Sequence, residues 1–281
     1  MHEHKIEKHI KHDNNLILLG NPNVGKSVIF NLLTGRYVTV SNYPGTTVEL
    51  TQGLCNINNK DISVIDTPGI NNLIPQSEDE RVSRDILLNT EIYNVIQVAD
   101  AKNLRRALFI SIQLAEASIP FILNINMIDE AVSRGISIET SVLSKILQVK
   151  VITTIATQKK GIKALISAIP GKNFSSIFIN YSKEIEACLK KIIPLLPEMQ
   201  VSKRYLGLLL LANDTSIYPI LTAKMDTANL EKVKKLCTEL QSSYSKPISY
   251  YINRQRLKKV NNILKQVFAQ ESKKKTLFLQ N

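Results

Sequence analysis

The stretch Gly20-Asn21-Pro22-Asn23-Val24-Gly25-Lys26-Ser27 constrains this chain more than any other feature. It fits G-x-x-x-x-G-K-[S/T], with the apolar run Leu16 to Leu19 directly before it and a helix-compatible run directly after. A strand that feeds a glycine-containing turn and then a helix gathers backbone N–H groups and a helix N-terminus at one point, which favours phosphate oxygens. Here Gly20, Asn21, Asn23, Val24 and Gly25 form the wrap, Lys26 is expected to reach β- and γ-phosphates, and Ser27 offers a hydroxyl to Mg2+.

The pattern around this loop repeats. Leu16–Leu19, Ile62–Ile65, Val95–Val98, Phe121–Ile125 and Val149–Thr153 read as strands, separated by helical stretches near 27–34, 79–89, 103–117, 139–147 and 160–168. Alternation of this kind predicts an α/β fold with a doubly wound, mostly parallel sheet, whose ligands sit at the carboxyl ends of the strands. After Pro170-Gly171-Lys172-Asn173 the strand signal fades. Residues 182–193, 202–213, 227–243 and 247–270 read as helices, so a small all-α domain is expected to follow the P-loop NTPase domain. The domain reading is 1–14 a flexible tail carrying all four histidines, 15–171 the nucleotide domain, 172–270 the helical domain, and 271–281 a basic tail.

Three further motifs fall at strand ends. Asp66-Thr67-Pro68-Gly69 places a carboxylate that can hold Mg2+ through water, while the Gly69 N–H can meet a γ-phosphate. Asn126-Met127-Ile128-Asp129 has the spacing N-x-x-D; the Asp129 carboxylate can accept from guanine N1 and N2, and adenine carries an acceptor at N1. Thr154-Ile155-Ala156-Thr157 resembles the S-A-K/T loop of GTPases, in which the alanine N–H binds guanine O6; the resemblance implies that role for Ala156, with Ile155 standing where serine is usual. Between the first two motifs lies the polar loop Val40 to Glu49, a switch candidate whose threonine would close over Mg2+; Thr47 has the better spacing and Thr46 is its competitor. The ligands this set implies are GTP or GDP and Mg2+.

Together with Phe30-Asn31-Leu32-Leu33-Thr34-Gly35, Asn42-Tyr43-Pro44-Gly45 and above all Val98-Ala99-Asp100-Ala101-Lys102-Asn103-Leu104-Arg105-Arg106-Ala107-Leu108, these residues resemble the N-terminal GTPase domain of the FeoB ferrous-iron transporters. Tyr205–Leu211 and Tyr251–Leu257 resemble the helical domain that follows it there. Tyr43 replaces a frequent tryptophan, and Asp66-Thr67-Pro68-Gly69 replaces Asp-Leu-Pro-Gly; neither change removes a phosphate or metal contact. The resemblance implies a GTPase coupled to Fe2+ uptake, a partner in a membrane-spanning iron-permeation domain, and a K+ ion held by Asn23 that offsets charge on the β/γ bridge. Ile70 follows Gly69 where Ras-like proteins place a water-orienting glutamine, so intrinsic hydrolysis is expected to be slow. The family continues into several membrane spans beyond the point where this sequence ends, which reads either as an excised piece or as a free-standing relative.

Charge separates the two parts. Residues 1–170 hold 17 basic and 16 acidic side chains, against 19 and 8 in 171–281, within a net +12. Arg254, Arg256, Lys258, Lys259, Lys265 and Lys273 to Lys275 make the last helix and tail basic, as suits a segment beside the cytoplasmic membrane face. RNA or ribosome association is the alternative, but basic motifs interleaved with aromatics are missing and nucleic acid is not expected. His2, His4, His9 and His12 could take a divalent metal, with incidental histidines as the plainer reading. No apolar run approaches the ~20 residues of a membrane span. The N-terminus lacks a signal-peptide core and Cys55, Cys188 and Cys237 are scattered, which points to the cytosol; self-association is left open.

Overall fold

The computed structural model describes residues 15–35 and 38–268, so the histidines of 1–14 and the lysines of 273–275 lie outside the described residues. The strands are β1 Asn15–Gly20, β2 Val38–Asn42, β3 Glu49–Ile57, β4 Lys60–Asp66, β5 Ile92–Asp100, β6 Phe121–Asn126 and β7 Val151–Thr153. The helices are α1 Lys26–Thr34, α2 Glu78–Asn89, α3 Leu104–Glu116, α4 Ile128–Ser133, α5 Thr140–Leu147, α6 Ile162–Ala168, α7 Lys183–Ile192, α8 Lys203–Leu211, α9 Tyr218–Thr222, α10 Thr227–Ser242 and α11 Ile248–Phe268.

One seven-stranded sheet runs β2-β3-β4-β1-β5-β6-β7. Its β4-β1-β5-β6-β7 portion is parallel, and β2 and β3 are added antiparallel at one edge. The mostly parallel sheet of a P-loop fold, followed by helices alone, is therefore what the chain forms. β1 is central because both of its faces are apolar: Leu16 and Leu18 pack toward α1 and α6, and Ile17 and Leu19 toward α2 and α3. The second of these cores does not stop at the α/β part. It continues through α3 into Tyr205, Leu206, Leu208 and Leu209 of α8 and Ile252, Val260 and Ile263 of α11.

Two expectations are corrected. Val38–Asn42 is a strand, paired with β3 from Val38 opposite Gly53 to Asn42 opposite Glu49, where a polar loop was expected from residue 40. Its five residues are all exposed, so it carries none of the burial alternation by which strands are read. Arg256 is not part of a solvated basic face: it is 0% exposed and its Nε donates to Glu116 Oε2 at 2.8 Å. The short helices α4 and α9 were not foreseen either, and no described helix is long and apolar enough to cross a membrane.

Candidate functional site

The loop after β1 needs an unusual backbone. Asn23 (φ 62) and Gly25 (φ 87) both lie in the left-handed region, and a Cβ on Gly25 would come within 2.5 Å of Asn126 Nδ2, so only glycine suits both the conformation and the contact. α1 then starts with Lys26, whose ammonium pKa is lowered by burial, with the nearby Asp66 opposing that shift. Ser27 Oγ donates to Asp66 Oδ2 at 3.0 Å. Asp66 Oδ1 is buried without any hydrogen-bond partner, and burial holds the carboxyl above its ordinary pKa against the pull of Lys26 and Ser27. Lys26, Ser27, Thr47 and Asp66 line one cleft of about 520 Å3, together with Glu78 and Asp79 at the start of α2.

The structure distinguishes the two threonines. Thr46 Oγ1 donates to Tyr43 O at 2.9 Å and accepts from Val48 N at 3.2 Å, which closes a turn. Thr47 is exposed and lines the cleft. Gly69 lines an adjoining space of about 430 Å3 with Asn23, Gly25, Lys26 and Ser27, and a Cβ there would sit 2.9 Å from Pro22. Its N–H donates to no described residue.

Asn126 ties three loops together. Its Nδ2 donates to Val24 O at 3.0 Å, and its Oδ1 accepts from Thr154 Oγ1 at 3.1 Å and Ala156 N at 3.0 Å. The Ala156 N–H expected at guanine O6 therefore faces Asn126 in this structure, as does the side chain of Thr154. Met127 turns the chain through a left-handed residue (φ 59) into α4. Asp129, in the first turn of that helix, keeps Oδ1 buried and unpartnered. Lys102 Nζ lies 3.8 Å from Met127 Sδ and pairs with Glu130 and Asp100, giving the Asp100 to Leu108 segment a place beside the same loops.

The side chain of Asn21 faces the loop that follows Gly69. Its amide is buried and donates to Ile70 O at 2.9 Å and Asn71 Oδ1 at 3.3 Å, so the side chain supports the loop behind Gly69 and does not line the phosphate clefts. Three contributors escaped the sequence reading. Glu78 and Asp79 line the cleft of Lys26, Ser27 and Asp66, and Glu80 accepts from the backbone N–H groups of Asn71, Asn72 and Gln76 at 3.0, 3.2 and 2.9 Å. The signal for Glu80 was present: Ser77-x-x-Glu80 has capping-box spacing, and Ser77 does cap α2. A separate groove of about 880 Å3 on α11 shares none of these residues.

A G-x-x-x-x-G-K-S loop between strand and helix, a Ser27–Asp66 hydrogen bond beside it and an N-x-x-D loop, at the strand ends of a mostly parallel sheet, define a P-loop G domain. Residues 14–169 match the family model described as ferrous iron transport protein B, and residues 181–269 the one described as FeoB cytosolic helical domain. The chain belongs to the ferrous iron transport protein B family. It is 33% identical over 255 residues to the Fe(2+) transporter FeoB of Staphylococcus aureus, covering 88% of this chain and 37% of that protein. To the Escherichia coli Fe(2+) transporter FeoB it is 36% identical over 207 residues, 70% of this chain and 26% of the other. The chain thus spans well under half the length of these relatives. The cytosolic domain of L. pneumophila FeoB superposes with a TM-score of 0.76 at 29% identity, covering 90% of this chain and 98% of that one. The cytosolic domain of the T. maritima FeoB iron transporter in its GMPPNP form gives 0.73 at 29% identity, with 90% and 98% covered.

Proposed function

We propose that this chain binds GTP and GDP, hydrolyses GTP, and forms the cytoplasmic nucleotide-dependent part of a protein that takes up Fe2+ across a membrane. The observation that carries the nucleotide reading is the Asn126 brace: it holds the loop of Asp129, whose free oxygen suits guanine N1 and N2, against Val24 of the phosphate loop. GDP and GMPPNP forms of a related cytosolic domain support the same ligand class. The domain division proposed is 15–171 for nucleotide and 172–270 for the helical unit, consistent with the spans of the two family matches.

The residues present fit Mg2+. Ser27 Oγ, the unpartnered Asp66 Oδ1 and Thr47 supply oxygen atoms only, the donor set a small hard cation prefers, and Asp66 at its usual ionisation would hold it through water. Bound there, the ion would offset charge on the β- and γ-phosphates. Lys26 adds a fixed cation, the backbone around Gly25 adds amides, and the free Gly69 N–H meets the γ-phosphate. Asn23 makes no hydrogen bond to a described residue and stands at the second cleft, so its amide oxygen is available to K+. Ile70 is 0% exposed and presents no group that could orient water, which supports an expectation of slow intrinsic turnover. Its partners would be the membrane-spanning iron-permeation domain and the cytoplasmic membrane face.

Fluorescent GDP should bind and fluorescent ADP should not. Asp129→Asn should weaken GDP by roughly 10- to 100-fold, the effect of losing a charge-assisted bond worth about 1.5–3 kcal/mol, and should improve xanthosine diphosphate, whose 2-oxo group accepts from the new amide. Equal binding of ADP and GDP would remove the guanine reading. Equal GTP turnover in K+ and Na+ salts would remove the role of Asn23.

A further inference from the structure

The segment after Gly69 is irregular yet every backbone N–H from Ile70 to Gln76 is held. Ile70 N donates to Gly20 O at 2.9 Å, Ile70 O accepts from Asn21, and the N–H groups of Asn71, Asn72 and Gln76 are taken by Glu80. Leu73, 0% exposed, is gripped at both ends: its N–H donates to Gln113 Oε1 at 3.0 Å and its carbonyl accepts from Tyr205 OH at 2.8 Å. Gln113 is itself oriented, because its Nε2 donates to Phe109 O at 3.1 Å and its Oε1 also accepts from Arg256 Nη1 at 3.2 Å. Arg256 is in turn fixed by Glu116, which receives the Tyr181 hydroxyl at 2.5 Å. Tyr205 and Arg256 come from α8 and α11, more than 130 residues away in sequence.

A loop fastened in this way cannot swing as a whole, since moving Leu73 would leave its own buried amide and carbonyl and the buried Tyr205 hydroxyl without these partners. Freedom is left to the few residues on the N-terminal side, where the Gly69 N–H is unbonded. We propose that Gln113 and Tyr205 are positioning residues for GTP hydrolysis: by fixing Leu73 they set where the Gly69 N–H can meet the γ-phosphate, so the helical unit contributes to the catalytic geometry without touching nucleotide. This rests on the GTPase reading above. Because Gly69 is assigned to the γ-phosphate alone, the two side chains should matter for turnover and not for diphosphate binding, a split that a general loss of stability does not produce.

The test uses the whole chain. Tyr205→Phe removes one hydrogen bond and keeps the ring; Gln113→Met removes the acceptor, and Gln113→Glu restores it. Tyr205→Phe and Gln113→Met should each lower kcat for GTP by roughly 10-fold, the scale seen on removing part of a preorganised hydrogen-bond array, with GDP affinity held within about 2-fold. Gln113→Glu should recover most of the turnover. Cys237→Ala, which opens a cavity inside the helical unit, should leave both quantities at the parent value. Unchanged kcat in Tyr205→Phe, or GDP affinity falling in step with kcat, overturns the proposal. Absence of any turnover in the parent chain would instead remove the GTPase reading, and this inference with it.

Discussion

Asp66 and Asp129 each keep one carboxylate oxygen buried with no partner, which in a folded chain marks either a fault in packing or a place reserved for a ligand. Asp66 faces a cleft that Lys26 and Ser27 share, and Asp129 follows the braced Asn126, so the second explanation fits both. Asn124 is a warning against applying the rule everywhere: both atoms of its buried amide lack partners, it lines neither cleft, and nothing in the structure explains it. For Asp66 the sign of the pH effect can be worked out. Burial raises its pKa, so the folded chain holds that proton more tightly than the unfolded chain does, and stability is lost as pH rises through the raised value. Mg2+ binds the ionised form and works the other way, so its affinity should fall as the solution is acidified into a range higher than an exposed aspartate would require. Asp66→Asn removes the burial cost of the charge. In metal-free and nucleotide-free buffer at neutral pH it should raise the melting temperature by about 2–4 °C, the shift that about 1 kcal/mol produces in a domain of comparable size, while Mg2+-dependent GTP turnover collapses. A variant that melts lower than its parent would show that the Ser27 and Lys26 contacts outweigh desolvation.

Between elements, the ion pair of Arg256 on α11 with Glu116 on α3 is the contact whose removal has the most predictable consequence. Both partners are nearly or fully buried, so Arg256→Met leaves a carboxylate without its cation in the interior. That should cost about 3–5 kcal/mol, whereas pairing the change with Glu116→Gln removes the stranded charge and should recover much of the loss. Urea titrations of the two single variants and the double would show it; additive losses would mean the pair is not coupled. This pair also marks where the sequence stops being readable. The phosphate loop, the Asp66 turn and the N-x-x-D loop are legible because their chemistry lies in consecutive residues at a strand end. Arg256 looked like one of several cations on a basic helix because its carboxylate is 140 residues distant. Tyr205 and Gln113 carried no local sign at all, and β2 was missed because an edge strand exposed on every residue shows no period. Glu80 lay between these cases: the capping-box spacing was visible, but its grip on Asn71 and Asn72 depends on how the loop folds back.

At the scale of the molecule, the helical part is not a separate body tied on by a linker. A single apolar cluster runs from Ile17 and Leu19 of β1 through Leu108 and Ile112 of α3 to Leu206 of α8 and Val260 of α11. Arg84 of α2, 0% exposed, pairs with Asp214 just before α9, and Ser202 N donates to Ala117 O at 2.8 Å, so polar contacts seal the same boundary. A chain ending near residue 171 would expose the outer face of α3 and should aggregate or melt well below the parent. The parent itself should unfold in one cooperative transition, because neither part has a complete core without the other. GDP at 100 times its Kd stabilises any chain that binds it only when folded by about 2.7 kcal/mol. If the two parts unfold together, that increment must raise the loss of α/β and helical structure alike, observed for instance as matching shifts in amide exchange protection at Leu18 and at Ile252. Protection that rises around β1 while α11 exchanges as before would mean that the two parts are energetically separate, and the route from nucleotide to the helical unit would then have to run through polar contacts such as those of Leu73 and Arg84.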